Sequence, residues 1–189
     1  MAKKILVPLL PGFEEMEAII LIDVLRRGQL EVFSVSNSRE PILASRNTLH
    51  IADLIFSEVE GKVFDAIVLP GGLTGTKNLM ENESVKNLLI QFHRQKKMIG
   101  AICAAPNVLR KFDIIRDDIP FTAFPTSISL VESNKSNYLE ERIVSYENIH
   151  TSIGPGSAFE FALYLLEKLT SEETMIEVKK GLYLPDSKL

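Results

Sequence analysis

The residue best suited to covalent chemistry is Cys103, the only cysteine in the chain, which lies in the segment Gly100-Ala-Ile-Cys-Ala-Ala-Pro106. Apolar, strand-like residues lead into the cysteine, and a short helical stretch follows it. Ala101 and Ala105 supply the small flanking residues that a nucleophile elbow needs, because its sharp strand-to-helix turn brings those positions close together. The N–H groups and dipole of the helix favour the thiolate and can hold an oxyanion. The segment therefore predicts a nucleophile, although a lone cysteine is often only a small buried hydrophobe.

Two further turns are expected to lie beside the cysteine. Pro11-Gly12 and Pro70-Gly71-Gly72 each follow a short apolar run, as Cys103 does. Continuous apolar strands between helices are typical of a parallel sheet that is covered on both faces. Ligand sites in such sheets form at the carboxyl ends of the strands. We therefore expect the fold to bring the three turns together.

The elements that would position these turns alternate along the chain. Apolar and β-branched runs predict a hairpin or β-excursion over 42–45 and 48–55, and strands at 5–10, 30–35, 65–69, 98–102, 121–124, 142–145 and 149–152. Apolar residues at helical spacing predict helices at 14–27, 84–97, 104–111, 154–169 and 171–180. The prediction is one domain over residues 1–189. Its fold class is α/β, a three-layer α/β/α sandwich with a mostly parallel sheet, flavodoxin-like and also typical of class I glutamine amidotransferases.

Composition narrows the function classes. The 189 residues carry a net charge of −4, which disfavours a nucleic-acid partner because such domains usually present a basic face. A single cysteine excludes an internal disulfide and a multi-cysteine metal site, and it fits a reducing compartment. The chain begins without a signal-peptide pattern, and no apolar run approaches the ~18 residues that cross a membrane. We expect a cytoplasmic protein with no membrane partner.

Several segments together resemble the ThiJ/PfpI superfamily, and specifically its DJ-one-like branch. They occur in the order and spacing of that family over nearly the whole chain. The segments are Gly12-Phe-Glu-Glu-Met-Glu17, Asp23-Val-Leu-Arg-Arg27, Ser45-Arg46, Asp65-Ala-Ile-Val-Leu-Pro-Gly-Gly72, Ala101-Ile-Cys-Ala-Ala-Pro106 and Gly154-Pro-Gly-Ser-Ala-Phe-Glu-Phe-Ala162.

The resemblance implies roles for individual residues. Cys103 corresponds to the oxidisable nucleophile, and Glu17 corresponds to a protonated glutamic acid that hydrogen-bonds it. A carboxyl buried beside a thiolate is indeed expected to be neutral, because desolvation and like charge both oppose its ionisation. Glu14 and Glu15 are expected to be solvated helix-face residues instead. The backbone amides that would line the oxyanion pocket are those of Gly71, Gly72 and Ala104.

The resemblance also implies a homodimer in which the helix at 15–27 contributes to the interface. Arg27 and Arg46 correspond to positions near the site and that interface. These expectations rest on the resemblance alone.

The sequence departs from the family pattern at two positions. Phe124 occupies the place of a common histidine, and Ile153 replaces an arginine. Of the three histidines, His50 and His93 are expected at the surface, whereas His150 closes a strand and could approach the site. Without a Cys–His pair, general-base activation of the thiol is lost, so peptide hydrolysis is not expected.

Two functions follow from the resemblance. The first is a cofactor-free, glutathione-independent glyoxalase that turns a small carbonyl substrate, methylglyoxal, into lactate through Cys103 and Glu17, with a related deglycase activity and no metal. The alternative is a redox-sensing or chaperone-like protein whose cysteine oxidises to sulfinate without turnover. A class I amidotransferase would need a Cys-His-Glu triad, and a Rossmann-type cofactor site would need Gly-x-Gly-x-x-Gly after the first strand. Neither pattern is present.

Overall fold

A seven-stranded sheet forms the centre of the computed structural model, which describes residues 2–132 and 137–185. The strands are β1 (Lys4–Pro8), β2 (Glu31–Ser36), β3 (Ile42–Leu43), β4 (Leu49–His50), β5 (Leu54–Ile55), β6 (Ala66–Leu69), β7 (Met98–Ile102), β8 (Ile143–Tyr146) and β9 (Ile149–Ser152). The helices are α1 (Glu15–Arg27), α2 (Phe56–Val59), α3 (Leu73–Met80), α4 (Glu83–Arg94), α5 (Pro106–Lys111), α6 (Ala158–Leu169) and α7 (Glu172–Gly181).

The sheet is parallel except at one edge. Its strand order is β5-β2-β1-β6-β7-β9-β8, and only β8 runs antiparallel to its neighbour. β3 and β4 pair as a separate antiparallel hairpin, after which the chain returns to the sheet as β5. The segment predicted as a hairpin or an excursion is therefore a hairpin outside the sheet followed by an edge strand.

Alternation along the central strands produces the three layers. Ile5 and Val7 on β1 belong to the apolar cluster that includes α1 and α6, whereas Leu6 between them belongs to the cluster of α4 and α5. All three side chains are fully buried. Successive strand residues point to opposite faces, so the sheet carries helices on both sides. The predicted three-layer α/β/α sandwich is confirmed.

α1 carries a site residue, and its ends are set locally. Glu14 caps the helix by accepting a hydrogen bond from the Glu17 N–H at 2.8 Å. Gly28 forms the C-terminal cap, so the helix ends where the predicted range 14–27 ends. A Cβ at Gly28 would lie 2.1 Å from a methyl carbon of Leu166, so any side chain there would force Leu166 on α6 to shift.

The structure differs from the predicted elements in the second half of the chain and around two short helices. The strand predicted at 121–124 is reduced to one bridge between Phe121 and Tyr138, and a 3₁₀ turn follows at Pro125–Leu130. Pro125 lacks the N–H that would continue a ladder. α2 and α3 were not predicted, because α2 has four residues and α3 begins with the glycine-containing Leu-Thr-Gly. None of the helices in the described residues is long and apolar enough to span a membrane.

Candidate functional site

Cys103 occupies a strained turn between β7 and α5. Its φ is +64°, a left-handed conformation that costs a residue with a side chain about 1–3 kcal/mol. Two hydrogen bonds hold this turn: the Cys103 N–H donates to the Ser152 carbonyl at 2.8 Å, and the Phe124 N–H donates to the Cys103 carbonyl at 2.7 Å. Strain at this position is typical of a nucleophile elbow. The sharp turn predicted from the small flanking residues is present.

The three predicted turns meet at the carboxyl end of the sheet. The Glu14 N–H donates to the Gly71 carbonyl at 2.9 Å, and the Gly75 N–H donates to the Gly12 carbonyl at 3.0 Å. Gly72 has a φ of +89°, and a Cβ there would lie 2.4 Å from the Gly12 oxygen. Glycine is therefore required at Gly72 both by the backbone conformation and by the close approach of the first turn.

Glu17 lies in the first turn of α1 and is fully buried. Its Oε2 accepts the Gly71 N–H at 2.8 Å. Its Oε1 makes no hydrogen bond of normal geometry within the described residues, although the carboxyl interacts with the Cys103 thiol. Burial raises the pKa of Glu17 to about 7. The carboxyl is therefore neutral at acidic pH, and it exchanges a proton near neutrality.

The Gly71 amide has a different partner from the one expected. The family resemblance implied that it lines the oxyanion pocket, but its N–H donates to the Glu17 carboxyl instead. The amides of Gly72 and Ala104 instead face the Cys103 sulfur, where they favour its charged form. Two of the three expected donors are therefore directed at the sulfur, and the third positions the carboxyl.

The thiol itself is harder to ionise than its position before a helix suggested. Cys103 is only 9% exposed. Burial, followed by the charge of Glu17, raises the pKa of the Cys103 thiol, and the amides of Gly72 and Ala104 only partly oppose this. Backbone N–H groups at the start of the helix do favour the thiolate, as expected, but burial and the neighbouring carboxyl outweigh them in the resting site. Because a second negative charge is opposed by burial and repulsion, the pair holds at most one charge near neutral pH.

A cavity of about 450 Å³ opens over the sulfur, within the ~300–1,000 Å³ range of small-molecule sites. Two of the residues that line it are oppositely charged, Glu14 and Arg46. The others with side chains beyond the cysteine and alanine include the apolar Leu73, Phe124 and Pro155 and the hydroxyl-bearing Ser45, Thr74, Thr126 and Ser127. Arg46 thus lies at the site, as the resemblance implied.

Glu15 holds the loop that carries Arg46. Its carboxylate accepts hydrogen bonds from the Ser45 hydroxyl at 2.9 Å and from the Arg46 N–H at 2.9 Å, and from the Thr48 hydroxyl at 3.1 Å. Burial opposes ionisation, but these hydrogen bonds outweigh it and lower the pKa of Glu15. Glu14 caps α1. The expectation that both carboxylates are merely solvated is therefore wrong, because each has a specific structural partner.

Arg27 and Ile153 are not among the described residues that line the cavity. Arg27 forms an ion pair with Asp23 at 2.6 Å, one turn earlier on α1. Ile153 is half-buried, and its N–H donates to the Arg142 carbonyl at 3.2 Å. Of the two arginines expected near the site, only Arg46 is brought to it.

The histidines do not supply a base to the site. His150 is buried on β9, where its Nδ1 lies 2.9 Å from the Ser145 hydroxyl and 3.3 Å from the Tyr164 hydroxyl. Burial, together with the charge of Lys168, lowers the pKa of His150 to about 4. The possibility that His150 approaches the sulfur is not realised, because its ring packs against α6. His50 and His93 are likewise absent from the described cavity lining.

A buried polar network behind the elbow was not foreseen. Asn107 donates from Nδ2 to the Ala104 carbonyl and to the Ser127 hydroxyl, both at 3.0 Å. Arg110, which is also buried, donates to Asn107 Oδ1 at 2.7 Å and to the Ile128 carbonyl at 2.9 Å. The sequence signal was an asparagine and an arginine three residues apart in the short helix that follows the elbow. The network ties the elbow to the segment that carries Phe124.

No group of three or more His, Cys, Asp or Glu side chains within residues 2–132 and 137–185 is arranged to hold a metal ion.

Comparison with known proteins identifies relatives of the chain. Residues 3–168 match the model of the DJ-1/PfpI family. Protein dj-1beta of Drosophila melanogaster is 39% identical over 183 residues, which is 96% of this chain and 97% of that protein. The Caenorhabditis elegans protein named glutathione-independent glyoxalase DJR-1.2 is 35% identical over 171 residues, 90% of each. The crystal structure of Drosophila melanogaster DJ-1beta matches with a TM-score of 0.91 at 38% identity, covering 98% of this chain and 100% of that one.

Proposed function

The chain belongs to the DJ-1/PfpI family, and on this premise we propose that it is a cofactor-free, glutathione-independent enzyme that converts small dicarbonyls such as methylglyoxal into 2-hydroxy acids. The observation that carries the proposal is the buried Cys103–Glu17 pair, in which the carboxyl has a pKa of about 7. A general base is most effective when its pKa is near the working pH. The name of the Caenorhabditis elegans relative supports the same reaction class.

In the first step the thiol adds to the aldehyde of the substrate. Ionised Glu17 takes the Cys103 proton as the sulfur–carbon bond forms and the C=O π bond breaks. The amides of Gly72 and Ala104, which face the sulfur, are placed to stabilise the resulting oxyanion. Glu17 then gives the proton to that oxygen. The product is a hemithioacetal, and the carboxyl is again ionised.

In the second step Glu17 moves a proton between the two substrate carbons. It removes the C–H proton of the hemithioacetal carbon, which gives an enediolate; the hydroxyl proton on that carbon passes to the neighbouring oxygen, and Glu17 returns its proton to the neighbouring carbon. The result is a thioester of the 2-hydroxy acid on Cys103. Water hydrolyses the thioester to release lactate and the free thiol. The overall reaction adds one water to methylglyoxal and needs no external oxidant or reductant.

The site lacks the histidine that would assist this chemistry, and Phe124 lines the cavity instead. A positioned acid or base contributes ~10²-fold or more to a rate. We therefore expect slow turnover in which Glu17 is the acid–base group and Cys103 the nucleophile, and we expect no proteolysis. The same addition step would act on early glycation adducts, which is the basis for a deglycase activity.

The test is lactate formation from methylglyoxal without glutathione. Wild type is expected to turn over, Cys103→Ala is expected to be inactive, and Glu81→Gln, an exposed substitution at the end of α3, serves as the control. Loss of methylglyoxal by wild type without lactate would mean adduct formation only. Equal lactate formation by wild type and Cys103→Ala would refute the proposal.

The second candidate function is redox sensing, with chaperone-like action, through oxidation of Cys103 to sulfinate. The two amides that face the sulfur would accept sulfinate oxygens, and neutral Glu17 would donate to them. One cysteine allows no disulfide within the chain. Peroxide titration followed by intact-mass analysis distinguishes the two functions, because sensing requires two added oxygens at low peroxide and no lactate formation.

The partner that we propose for the protein itself is a second copy. Met16 and Ile19 on the outer face of α1 are exposed apolar side chains, as are Leu49 and Ile51 on the neighbouring hairpin. The two elements are joined through the hydrogen bonds of Glu15 to Ser45 and Thr48, and exposed apolar side chains on adjoining elements are typical of interaction surfaces. Sedimentation is expected to give a dimer for wild type and a monomer for Met16→Glu. Val63→Glu, another exposed apolar position, is the control.

A further inference from the structure

Two large apolar side chains are exposed at the cavity over Cys103. Leu73 is 54% exposed and Phe124 is 42% exposed, and both line the cavity. Each is linked to the surroundings of the sulfur through the backbone. Leu73 directly follows Gly72, whose amide faces the sulfur, and the Phe124 N–H donates to the Cys103 carbonyl at 2.7 Å. Their backbones are therefore held at defined positions relative to any substrate bound to the cysteine.

Phe124 is held in place at both ends of its backbone. Its carbonyl accepts the Ser127 hydroxyl at 2.7 Å, and Ser127 in turn accepts from Asn107 in the buried network. The ring lies over Gly154, where a Cβ would be 3.2 Å from a ring carbon. An anchored aromatic ring offers apolar surface without the entropy cost of ordering it on binding.

The charged groups at the cavity do not favour an ionic substrate. Glu14 and Arg46, one negative and one positive, line it together. A neutral molecule is therefore the class that the cavity suits. Once its aldehyde carbon is bonded to the sulfur and its oxygen lies at the amides of Gly72 and Ala104, its remaining substituent meets the apolar wall.

We propose that Leu73 and Phe124 form an apolar subsite that selects neutral dicarbonyls with a bulky apolar substituent, above all an aromatic one, over methylglyoxal. This inference rests on the proposed function and names its substrate class. The reaction balances as before: the thiol adds to the aldehyde of phenylglyoxal, a proton passes from the first carbon to the second, and water hydrolyses the thioester to give mandelate.

The first measurement compares kcat/KM for phenylglyoxal and methylglyoxal. The ratio is expected to exceed about ten in wild type and to fall about tenfold in Phe124→Ala, since one methylene in an apolar pocket already changes specificity by ~10-fold or more. Phe124→Tyr is expected to keep the ratio and Leu73→Ala to lower it. Val63→Ala, an exposed apolar position remote from the cavity, is the control. A ratio that is near one or unaffected by Phe124→Ala would overturn the proposal.

A second measurement separates this inference from the proposed function. Cys103 is alkylated with phenacyl chloride and with chloroacetone, and each rate is divided by the rate of the same reagent with glutathione to remove intrinsic reactivity. In each case an S–C bond forms, chloride leaves and the thiol proton goes to solvent. A phenacyl preference lost in Phe124→Ala supports the subsite even if no lactate or mandelate forms, in which case only the proposed function fails. Turnover of methylglyoxal with no such preference overturns the subsite alone.

Discussion

Replacing Glu17 with glutamine is expected to change how the stability of the protein depends on pH. Glutamine keeps the shape of the side chain and an acceptor for the Gly71 N–H, but it cannot ionise. In the folded protein the pKa of Glu17 is raised by burial from 4.5 to about 7. Folded wild type therefore retains a proton that the unfolded chain has already lost, over the range between these two values.

The sign of the effect follows from proton linkage. Where the folded state binds more protons, stability falls as the pH rises. The stabilisation due to the neutral carboxyl is complete below pH 4.5 and is lost as the pH passes through about 7. The difference between the two pKa values, at ~1.4 kcal/mol for each tenfold change in proton affinity, amounts to about 3 kcal/mol. The stability of Glu17→Gln does not fall in this way, because the glutamine side chain is neutral at every pH in this range.

The assay is urea unfolding of wild type and Glu17→Gln at intervals from pH 4.5 to 8. The free energy of unfolding of wild type, measured relative to the variant, is expected to fall by about 3 kcal/mol across this range. Glu81→Gln, at an exposed glutamate, should track wild type. Parallel curves for wild type and Glu17→Gln would refute the assignment of the raised pKa to Glu17.

Three further outcomes are expected. Turnover of methylglyoxal should rise with pH through an apparent pKa of about 7 as Glu17 ionises, and an initial-rate profile that is flat from pH 5.5 to 8.5 would contradict the base role. Arg110→Met should lower the free energy of unfolding in urea by about 2–4 kcal/mol by leaving buried acceptors unpaired, whereas Lys111→Met, at the exposed neighbour, should change little. Gly72→Ala should abolish activity and destabilise the fold, because the new Cβ would lie 2.4 Å from a backbone oxygen. Gly61 also has a positive φ but has open space around it, so Gly61→Ala measures the cost of backbone strain without a steric clash. Comparable stability and activity of these two alanine variants would count against the steric argument.

The fold and the elbow could be predicted because their signals are local. Apolar runs that alternate with stretches of helical periodicity indicated the parallel sheet. The small residues around Cys103 indicated the sharp turn. The convergence of the Pro11-Gly12 and Pro70-Gly71-Gly72 turns followed from the rule that sites form at the carboxyl ends of strands. The prediction of a strand at 121–124 was wrong, because an apolar run does not reveal whether a partner strand is available to pair with it.

Other features of the site depend on which groups meet in three dimensions. Glu17 is distinguished from Glu14 and Glu15 only by the family pattern, because all three are glutamates within one turn of α1. The balance of effects on the Cys103 thiol could not be predicted from the sequence either, because the extent of its burial depends on the fold. The Gly71 amide was misassigned because its partner is 54 positions away along the chain.

The proposed reaction requires that Cys103 forms the adduct and that Glu17 moves the proton, and one experiment tests both requirements. Wild type and Glu17→Gln are each mixed with methylglyoxal, quenched during the first turnover, and examined by intact-mass analysis together with lactate assay. The mechanism predicts lactate and an adduct on Cys103 with the mass of one methylglyoxal from wild type, and from Glu17→Gln much slower adduct formation and no lactate. Lactate from Glu17→Gln at the wild-type rate, or wild-type turnover with no adduct on Cys103, would contradict it.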